Sequence, residues 1–158
     1  MAAIFRCLVD IDDGCNRSFF LYLSDDSKSR NRHAAIRMAE TKSVAGTQTE
    51  KNLATSYLNE SQSYARYTFY AQKAVKESYF PIGYAFNETA ANELRHAKIF
   101  LNFLPGGKLV AEVPTDSVAI GSTEDNLKIS IDEERYEGVK AYQAYAEVAD
   151  KEGFPVIA

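Results

Sequence analysis

The stretch ETAANELRHAK at residues 88–98 decides how the rest of the chain is interpreted. Its Glu93 and His96 are three residues apart, so a helix projects both side chains from one face, where they can reach one metal ion. The stretch belongs to a longer helical pattern of mostly apolar residues: Ile82, Phe86, Thr89, Glu93, His96, Phe100 and Phe103. Pro81 suits the first turn of this helix, with Ser78 near its N-cap, and Leu104-Pro-Gly-Gly107 ends it. The sequence therefore predicts an amphipathic helix whose buried face carries a carboxylate and an imidazole.

Two more helices are predicted, one on each side of this one. The first runs roughly from Thr49 to Ser78, with a buried stripe of Leu53, Tyr57, Glu60, Tyr64, Tyr67, Ala71 and Ala74. The third begins at a capping box in Ser122–Asp125 and ends near Gly153, with a stripe of Leu127, Ser130, Glu134, Glu137, Ala141, Tyr145 and Val148. Residues 105–121 carry Pro114, Gly121 and several β-branched residues, which favours a long crossover connection.

Acidic residues lie at the middle of all three stripes: Glu60 on the first, Glu93 with His96 on the second, and Glu134 with Glu137 on the third. Burying a carboxylate without a partner costs several kcal/mol, so three such helices indicate a shared cation. Carboxylate and imidazole ligands suit iron or manganese. One Glu-x-x-His pair is a weak signal by itself, and the acidic pair of the third helix could instead lie on a solvated face.

Composition limits the alternatives. The chain has 158 residues, a formal net charge of −4 and no apolar run that approaches a bilayer span, which argues against nucleic-acid and membrane partners. Cys7 and Cys15 fit no metal or redox spacing, so we expect free thiols in a cytoplasmic protein. Residues 1–45 are predicted to be a weakly structured N-terminal extension, and Met38 is a candidate internal start. Residues 46–158 are predicted to be the functional domain.

Several segments, in order, resemble the di-iron domain of the rubrerythrin family: TQTEKNL at 47–53, ESQSYARY at 60–67, ETAANELRHAK at 88–98, IGSTEDNL at 120–127 and ERYE at 134–137. The resemblance implies an all-α, ferritin-like four-helix bundle with a long crossover connection. It also implies a non-haem di-iron peroxidase of oxidative-stress defence. Such an enzyme reduces hydrogen peroxide with electrons from an external rubredoxin-type donor.

The resemblance also implies a role for each matching residue. Glu60 corresponds to a terminal or bridging iron ligand, Glu93 to a bridging ligand, and His96 to a ligand of one iron in at least one redox state. Glu137 corresponds to a second bridging carboxylate or ligand, and Glu134 to a carboxylate that engages one iron. Tyr67 and Tyr142 correspond to phenols that orient carboxylates without binding metal.

The chain departs from the family pattern at two points. No CxxC…CxxC pair follows the helices, and the chain ends where a fourth helix with a second Glu-x-x-His would begin. We therefore expect three of four bundle helices and an incomplete di-iron domain, because His33, the other histidine, lies in the extension. A non-catalytic fragment that binds iron weakly or folds only in part is the alternative function. A membrane- or partner-binding helical module is a third.

An incomplete bundle predicts association into a homodimer or higher oligomer. In one arrangement the first two helices of two chains pair, so that two copies of Glu60, Glu93 and His96 form a symmetric site. The third helix would then lie outside that site.

Overall fold

The computed structural model describes residues 42–114 and 120–158. Residues 1–41 of the predicted N-terminal extension, with Cys7, Cys15, His33 and Met38, lie outside the described residues. Helix α1 spans Gln48–Lys76, α2 spans Phe80–Phe103 and α3 spans Thr123–Tyr136, followed by a π-helical turn at Glu137–Ala141 and by α4 at Tyr142–Lys151. The described residues contain no strand, so the all-α prediction is confirmed. Among them, no helix is both long enough and apolar enough to cross a bilayer.

The described residues fall into two structural units, each described by itself. One comprises residues 50–134, and the other comprises residues 42–49 with 135–158. In the first unit, α1 and α2 pack through a buried cluster of Tyr67, Tyr70, Ala71, Ala74, Phe86 and Ala90, against which Ile82 packs. The helices approach closely at Gly83, where an added Cβ would lie 2.8 Å from the Val75 side chain and 3.2 Å from the Ala71 carbonyl oxygen. Small residues and aromatic rings therefore set the distance between α1 and α2.

The turn between α1 and α2 contains Ser78 and Tyr79. Ser78 is predicted to lie near the N-cap of α2, and it lies one residue before the N-cap residue, Tyr79, which makes no side-chain hydrogen bond there. Pro81 lies in the first turn as predicted. Ser78 has a φ of 66°. Its N–H donates to the Val75 carbonyl at 3.0 Å, and the Tyr79 N–H donates to the Ala74 carbonyl at 2.8 Å. These two bonds form a Schellman motif that ends α1, with Ser78 at the left-handed position that favours glycine.

Two acidic side chains, those of Asp125 and Glu77, cap the N-terminus of α3. The predicted capping box is present, since the Asp125 N–H donates to the Ser122 hydroxyl at 3.2 Å and the Ser122 N–H donates to the Asp125 carboxylate at 3.3 Å. Glu77, just after α1, accepts from the Thr123 N–H at 2.9 Å and from the Thr123 hydroxyl at 2.6 Å. Hydrogen bonds from Thr123 and from Lys73 lower the pKa of Glu77 to about 2.

The buried face of the third helical segment differs from the predicted stripe. In α3 the buried residues are Thr123, Asn126 and Ser130, whereas Leu127 is 37% exposed. In α4 they are Tyr142, Ala146 and Ala149. The buried residues of α4 come one residue later in the sequence than uninterrupted α-helical spacing from α3 would place them. The π-helical turn between the two helices accommodates this extra residue. A stripe drawn with uninterrupted α-helical spacing misses this displacement.

The second unit joins the start of α1 to the end of α4. Glu152 accepts from the Gln48 N–H at 3.1 Å, from the Thr49 N–H at 2.8 Å and from the Thr49 hydroxyl at 2.6 Å, which caps α1. The Lys42 ammonium donates to the Glu152 carbonyl and lies 4.7 Å from the centre of the Phe154 ring. Gly153, with a φ of 81°, ends α4 in a second Schellman motif, as its predicted position indicated.

We predict that Ser78→Gly stabilises the protein by about 1 kcal/mol, because it removes the Cβ that disfavours the left-handed conformation. Urea unfolding followed by circular dichroism measures the change. Ser78→Ala is the control and gives no such gain, since it keeps the Cβ. A Ser78→Gly variant that unfolds at or below the urea midpoint of the parent would contradict this assignment.

We predict that Glu77→Gln lowers stability at neutral pH and that the difference from the parent depends on pH. The pKa of Glu77 is depressed from 4.5 to about 2 in the folded chain. Its stabilising contribution is therefore complete above about 4.5 and disappears as pH falls through about 2. Unfolding midpoints measured across this range, with exposed Glu88→Gln as the control for loss of one surface charge, test it. A difference that does not change with pH would show that the carboxylate does not cap α3.

Candidate metal centre

Glu60 and Glu93 are buried carboxylates at the middle of neighbouring helices. Glu60 lies on the face of α1 that also buries Leu53 and Tyr67, and it is 1% exposed. Glu93 lies on the buried face of α2, between Ala90 and Ala97, and is 6% exposed. The apolar residues before and after each carboxylate drive that face out of water, and the carboxylates are buried with it.

His96 completes the cluster from one turn further along α2. Its Nδ1 atom lies 3.1 Å from a Glu93 carboxylate oxygen and 3.5 Å from Glu60 Oε2. One ligand atom from each of the three residues lies within 4.8 Å of the other two. The predicted i, i+3 pair therefore shares a face, and packing of α2 on α1 brings the Glu60 carboxylate to the same point.

The three groups perturb one another strongly. Burial raises the pKa of Glu93 to about 7, although the hydrogen bond with His96 acts in the opposite direction, and the nearby Glu60 raises it further. Burial by itself would lower the pKa of His96, but its hydrogen bonds with Glu60 and Glu93 outweigh burial and raise that pKa to about 10. Without a metal, the imidazolium of His96 is thus the positive charge that compensates the buried carboxylates.

This donor set fits a metal cation. Two buried carboxylates and one imidazole converge on a volume small enough for a single ion to contact all three. A divalent cation would supply the positive charge that His96 supplies by holding a proton, and the imidazole nitrogen must lose that proton to become a ligand. Metal binding at the cluster therefore exchanges one compensating charge for another.

Glu134 approaches the cluster from α3. The Tyr67 hydroxyl donates to its carboxylate at 2.5 Å. Burial raises the pKa of Glu134, and the hydrogen bond from Tyr67 opposes this. The charge of Glu93 raises this pKa further, and the charge of His96 lowers it. On the same helix Glu133 pairs with Arg66 of α1. The predicted phenol–carboxylate contact is thus present for Tyr67, and the carboxylate it orients is Glu134.

The Tyr67 ring is itself held by packing. Its centroid lies 5.9 Å from that of Phe86, with the rings stacked, and 6.2 Å from that of Tyr70. The Tyr70 and Phe86 rings meet edge to face at 5.5 Å. Such aromatic contacts restrict the ring's rotamer, so the hydroxyl that orients Glu134 is placed by the core of the α1–α2 pair.

Glu137 and Tyr142, the two remaining predicted site residues, belong to the other unit. Glu137 is half-buried and begins the π-helical turn. Tyr142 is 4% exposed, begins α4, and has its ring centroid 6.3 Å from that of Tyr145. Their roles as iron ligand and as orienting phenol stay predictions.

A repeated pattern of polar residues leads to two of the carboxylates, and the apolar stripe of a single helix does not reveal it. The spacing T-x-x-N-x-x-x-S-x-x-x-E occurs once in α1, ending at Glu60, and once in α3, ending at Glu134. Its asparagine and serine members are almost fully buried in both helices: Asn52, Ser56, Asn126 and Ser130. A comparison of the two predicted helices with each other would have found it.

Comparison with known proteins agrees with this geometry. The Rubrerythrin family model matches residues 51–158. Rubrerythrin of Porphyromonas gingivalis is 44% identical over 117 residues, which are 74% of this chain and 58% of that protein. Rubrerythrin of Clostridium perfringens is 40% identical over 127 residues, covering 74% of this chain and 62% of that protein. Rubrerythrin of Nitratidesulfovibrio vulgaris is 37% identical over 117 residues, covering 74% of this chain and 61% of that protein.

The chain thus spans about three fifths of the length of these relatives. Within the matched range lie Glu60 of α1, the Glu93–His96 pair of α2 and Glu134 of α3. The family implies iron as the metal, and the buried carboxylate–imidazole cluster is a donor set that iron accepts. On the family match, and on relatives that share more than a third of its residues over three quarters of its length, the chain belongs to the rubrerythrin family.

Proposed function

We propose that residues 46–158 form the iron-binding part of a rubrerythrin-type di-iron oxidoreductase that reduces hydrogen peroxide to water. The observation that carries this proposal is the buried cluster of Glu60, Glu93 and His96, whose ligand atoms lie within 4.8 Å of one another. Two carboxylates are buried in the middle of the α1–α2 helix pair, where they destabilise the fold unless a cation compensates them. A redox-active iron site is the role that explains this cost.

The residues of the chain supply geometry and electrostatics for the metal. Glu60, Glu93 and His96 hold the iron, and Glu134 and Glu137 are the further carboxylates that we assign to a two-iron site. Bound iron supplies the electrons for breaking the peroxide O–O bond. The packing of α1 on α2 keeps the Glu60 and Glu93 carboxylates buried and holds them in place.

Tyr67 keeps the Glu134 carboxylate oriented by donating a hydrogen bond at 2.5 Å. We assign Tyr142 the same function toward another carboxylate of the site. Neither phenol binds metal in this assignment, since a neutral hydroxyl that donates to a carboxylate leaves that carboxylate's charge available to the iron.

The reaction needs partners that the chain itself does not supply. We propose an external rubredoxin-type protein as the electron donor, hydrogen peroxide as the substrate, a cytoplasmic location, and a homodimer or higher oligomer as the working form. The contact between Tyr67 and Glu134 bears on the assembly, because it brings α3 to α1 within residues 50–134. It argues against a symmetric site built only from α1 and α2 of two chains, with the third helix outside.

We predict that Glu93→Gln and His96→Ala reduce bound iron on the order of tenfold or more, because each removes a ligand from the only Glu-x-x-His pair of residues 42–114 and 120–158. Glu134→Gln causes a smaller loss. Exposed Glu88→Gln, on the same helix as Glu93, is the matched control and keeps the parental iron content. Elemental analysis after anaerobic loading with ferrous iron measures all four. Equal iron in the parent and in Glu93→Gln would remove Glu93 from the site.

We predict that peroxide oxidises the ferrous protein in a single turnover, with one hydrogen peroxide consumed per two ferrous ions. Stopped-flow absorbance under anaerobic conditions follows the ferric product, and residual peroxide gives the stoichiometry. The Glu93→Gln variant with the same added iron serves as the background. A parent that binds iron but is oxidised no faster than this background would identify a non-catalytic iron-binding fragment.

A further inference from the structure

The Ser56 hydroxyl is a fully buried polar group that the fold leaves unsatisfied. Ser56 is 0% exposed, and its Oγ atom has no hydrogen-bond partner among the residues that the structure describes. Buried hydroxyls in folded proteins are paired with protein or with ordered water, since an unmade hydrogen bond costs free energy. The Ser56 environment therefore requires a small polar occupant, and water is the smallest one.

Four other serine and threonine hydroxyls donate a hydrogen bond to a backbone carbonyl of their own helix. Ser61, Thr68, Thr89 and Ser130 each donate to the carbonyl four residues earlier, at 2.7, 2.8, 3.1 and 2.8 Å. Ser56 makes no such bond, although its helix offers the same carbonyl. Its hydroxyl is directed elsewhere, with both its donor and its acceptor capacity unused.

The position of Ser56 relates it to the metal cluster. It lies one helical turn before Glu60 and one turn after Asn52, which is 6% exposed. Side chains four residues apart on a helix are neighbours, with Cβ atoms roughly 5–6 Å apart. Because Ser56 Oγ makes no direct hydrogen bond to either neighbour, a bridging water is the connection that this spacing allows. The three side chains thus form a polar line along α1 that leads to Glu60, whose Oε2 atom lies 3.5 Å from His96 Nδ1.

We propose that Ser56 binds ordered water on both sides and relays protons to the Glu60–Glu93–His96 cluster. The proposal rests on the proposed function, because reduction of one hydrogen peroxide to two waters consumes two electrons from iron and two protons. In each transfer the Ser56 oxygen accepts a proton from the outer water and releases its own proton to the inner water. The inner water then protonates the peroxide oxygen, and the hydroxyl is restored.

Ser130 offers a matched comparison within the chain. It occupies the same place in the repeated pattern of α3, four residues before Glu134, but its hydroxyl donates to the Asn126 carbonyl at 2.8 Å. It therefore needs no water. Ser56→Ala and Ser130→Ala remove the same atom from equivalent positions, and only the first should interrupt proton delivery.

The first measurement is a crystal structure of the metal-free protein at a resolution that shows waters. We expect a water within hydrogen-bond distance of Ser56 Oγ in the parent and in Ser130→Ala, and its loss in Ser56→Ala. An Oγ atom with no water beside it would overturn the proposal without bearing on iron binding or on peroxide reduction.

The second measurement is the single-turnover oxidation of the ferrous protein by hydrogen peroxide, in normal and in deuterated water. We expect Ser56→Ala to keep its iron content but to react on the order of tenfold more slowly, with a larger solvent isotope effect. Ser130→Ala behaves as the parent does. A Ser56→Ala rate and isotope effect equal to the parental values would remove the relay, whereas a parent that peroxide does not oxidise would remove the proposed function and the relay with it.

Discussion

The burial of two carboxylates in the α1–α2 pair is the constraint on which the rest of the structure depends. Glu60 and Glu93 repel each other, and burial raises the pKa of Glu93 to about 7. The His96 imidazolium, with a pKa raised to about 10, compensates them when no metal is bound. This compensation ties the three residues to each other and to the packing of the two helices. A protein without a use for a cation would have apolar residues here, since replacement of buried charges by apolar side chains is often stabilising.

The geometry of this cluster depends on where the helices begin and end. Glu77 follows α1 and caps the start of α3 through Thr123, and Glu152 follows α4 and caps the start of α1 through Thr49. In each case one carboxylate accepts from a threonine N–H and from its hydroxyl. Both glutamates have a lowered pKa, caused first by the threonine hydroxyl. The caps place negative charge at the positive ends of helix dipoles, which stabilises the start of each helix.

Much of this arrangement could be predicted from local pattern, and the exceptions have identifiable causes. The helical spacing of apolar residues predicted α1 and α2, and the Ser122–Asp125 capping box predicted the start of α3. The position of Ser78 near the N-cap of α2 was predicted, but its left-handed conformation was not, because a serine before a helix resembles an N-cap whereas here the chain reverses direction within a short turn. The stripe of the third helix was displaced because a π-helical turn leaves no signal in hydrophobic periodicity.

The sequence by itself determined the helical class, the family, and the pairing of Glu93 with His96, because these follow from residue spacing along one chain. Tertiary structure decided that Glu60 meets this pair and that Tyr67 donates to Glu134. It also decided that the pKa values of Glu93 and His96 are both raised, and that the Ser56 hydroxyl has no hydrogen-bond partner among residues 42–114 and 120–158. The physical reason is that desolvation and hydrogen-bond partners depend on which helix faces which, and residue spacing within a helix carries no information about the facing side chain.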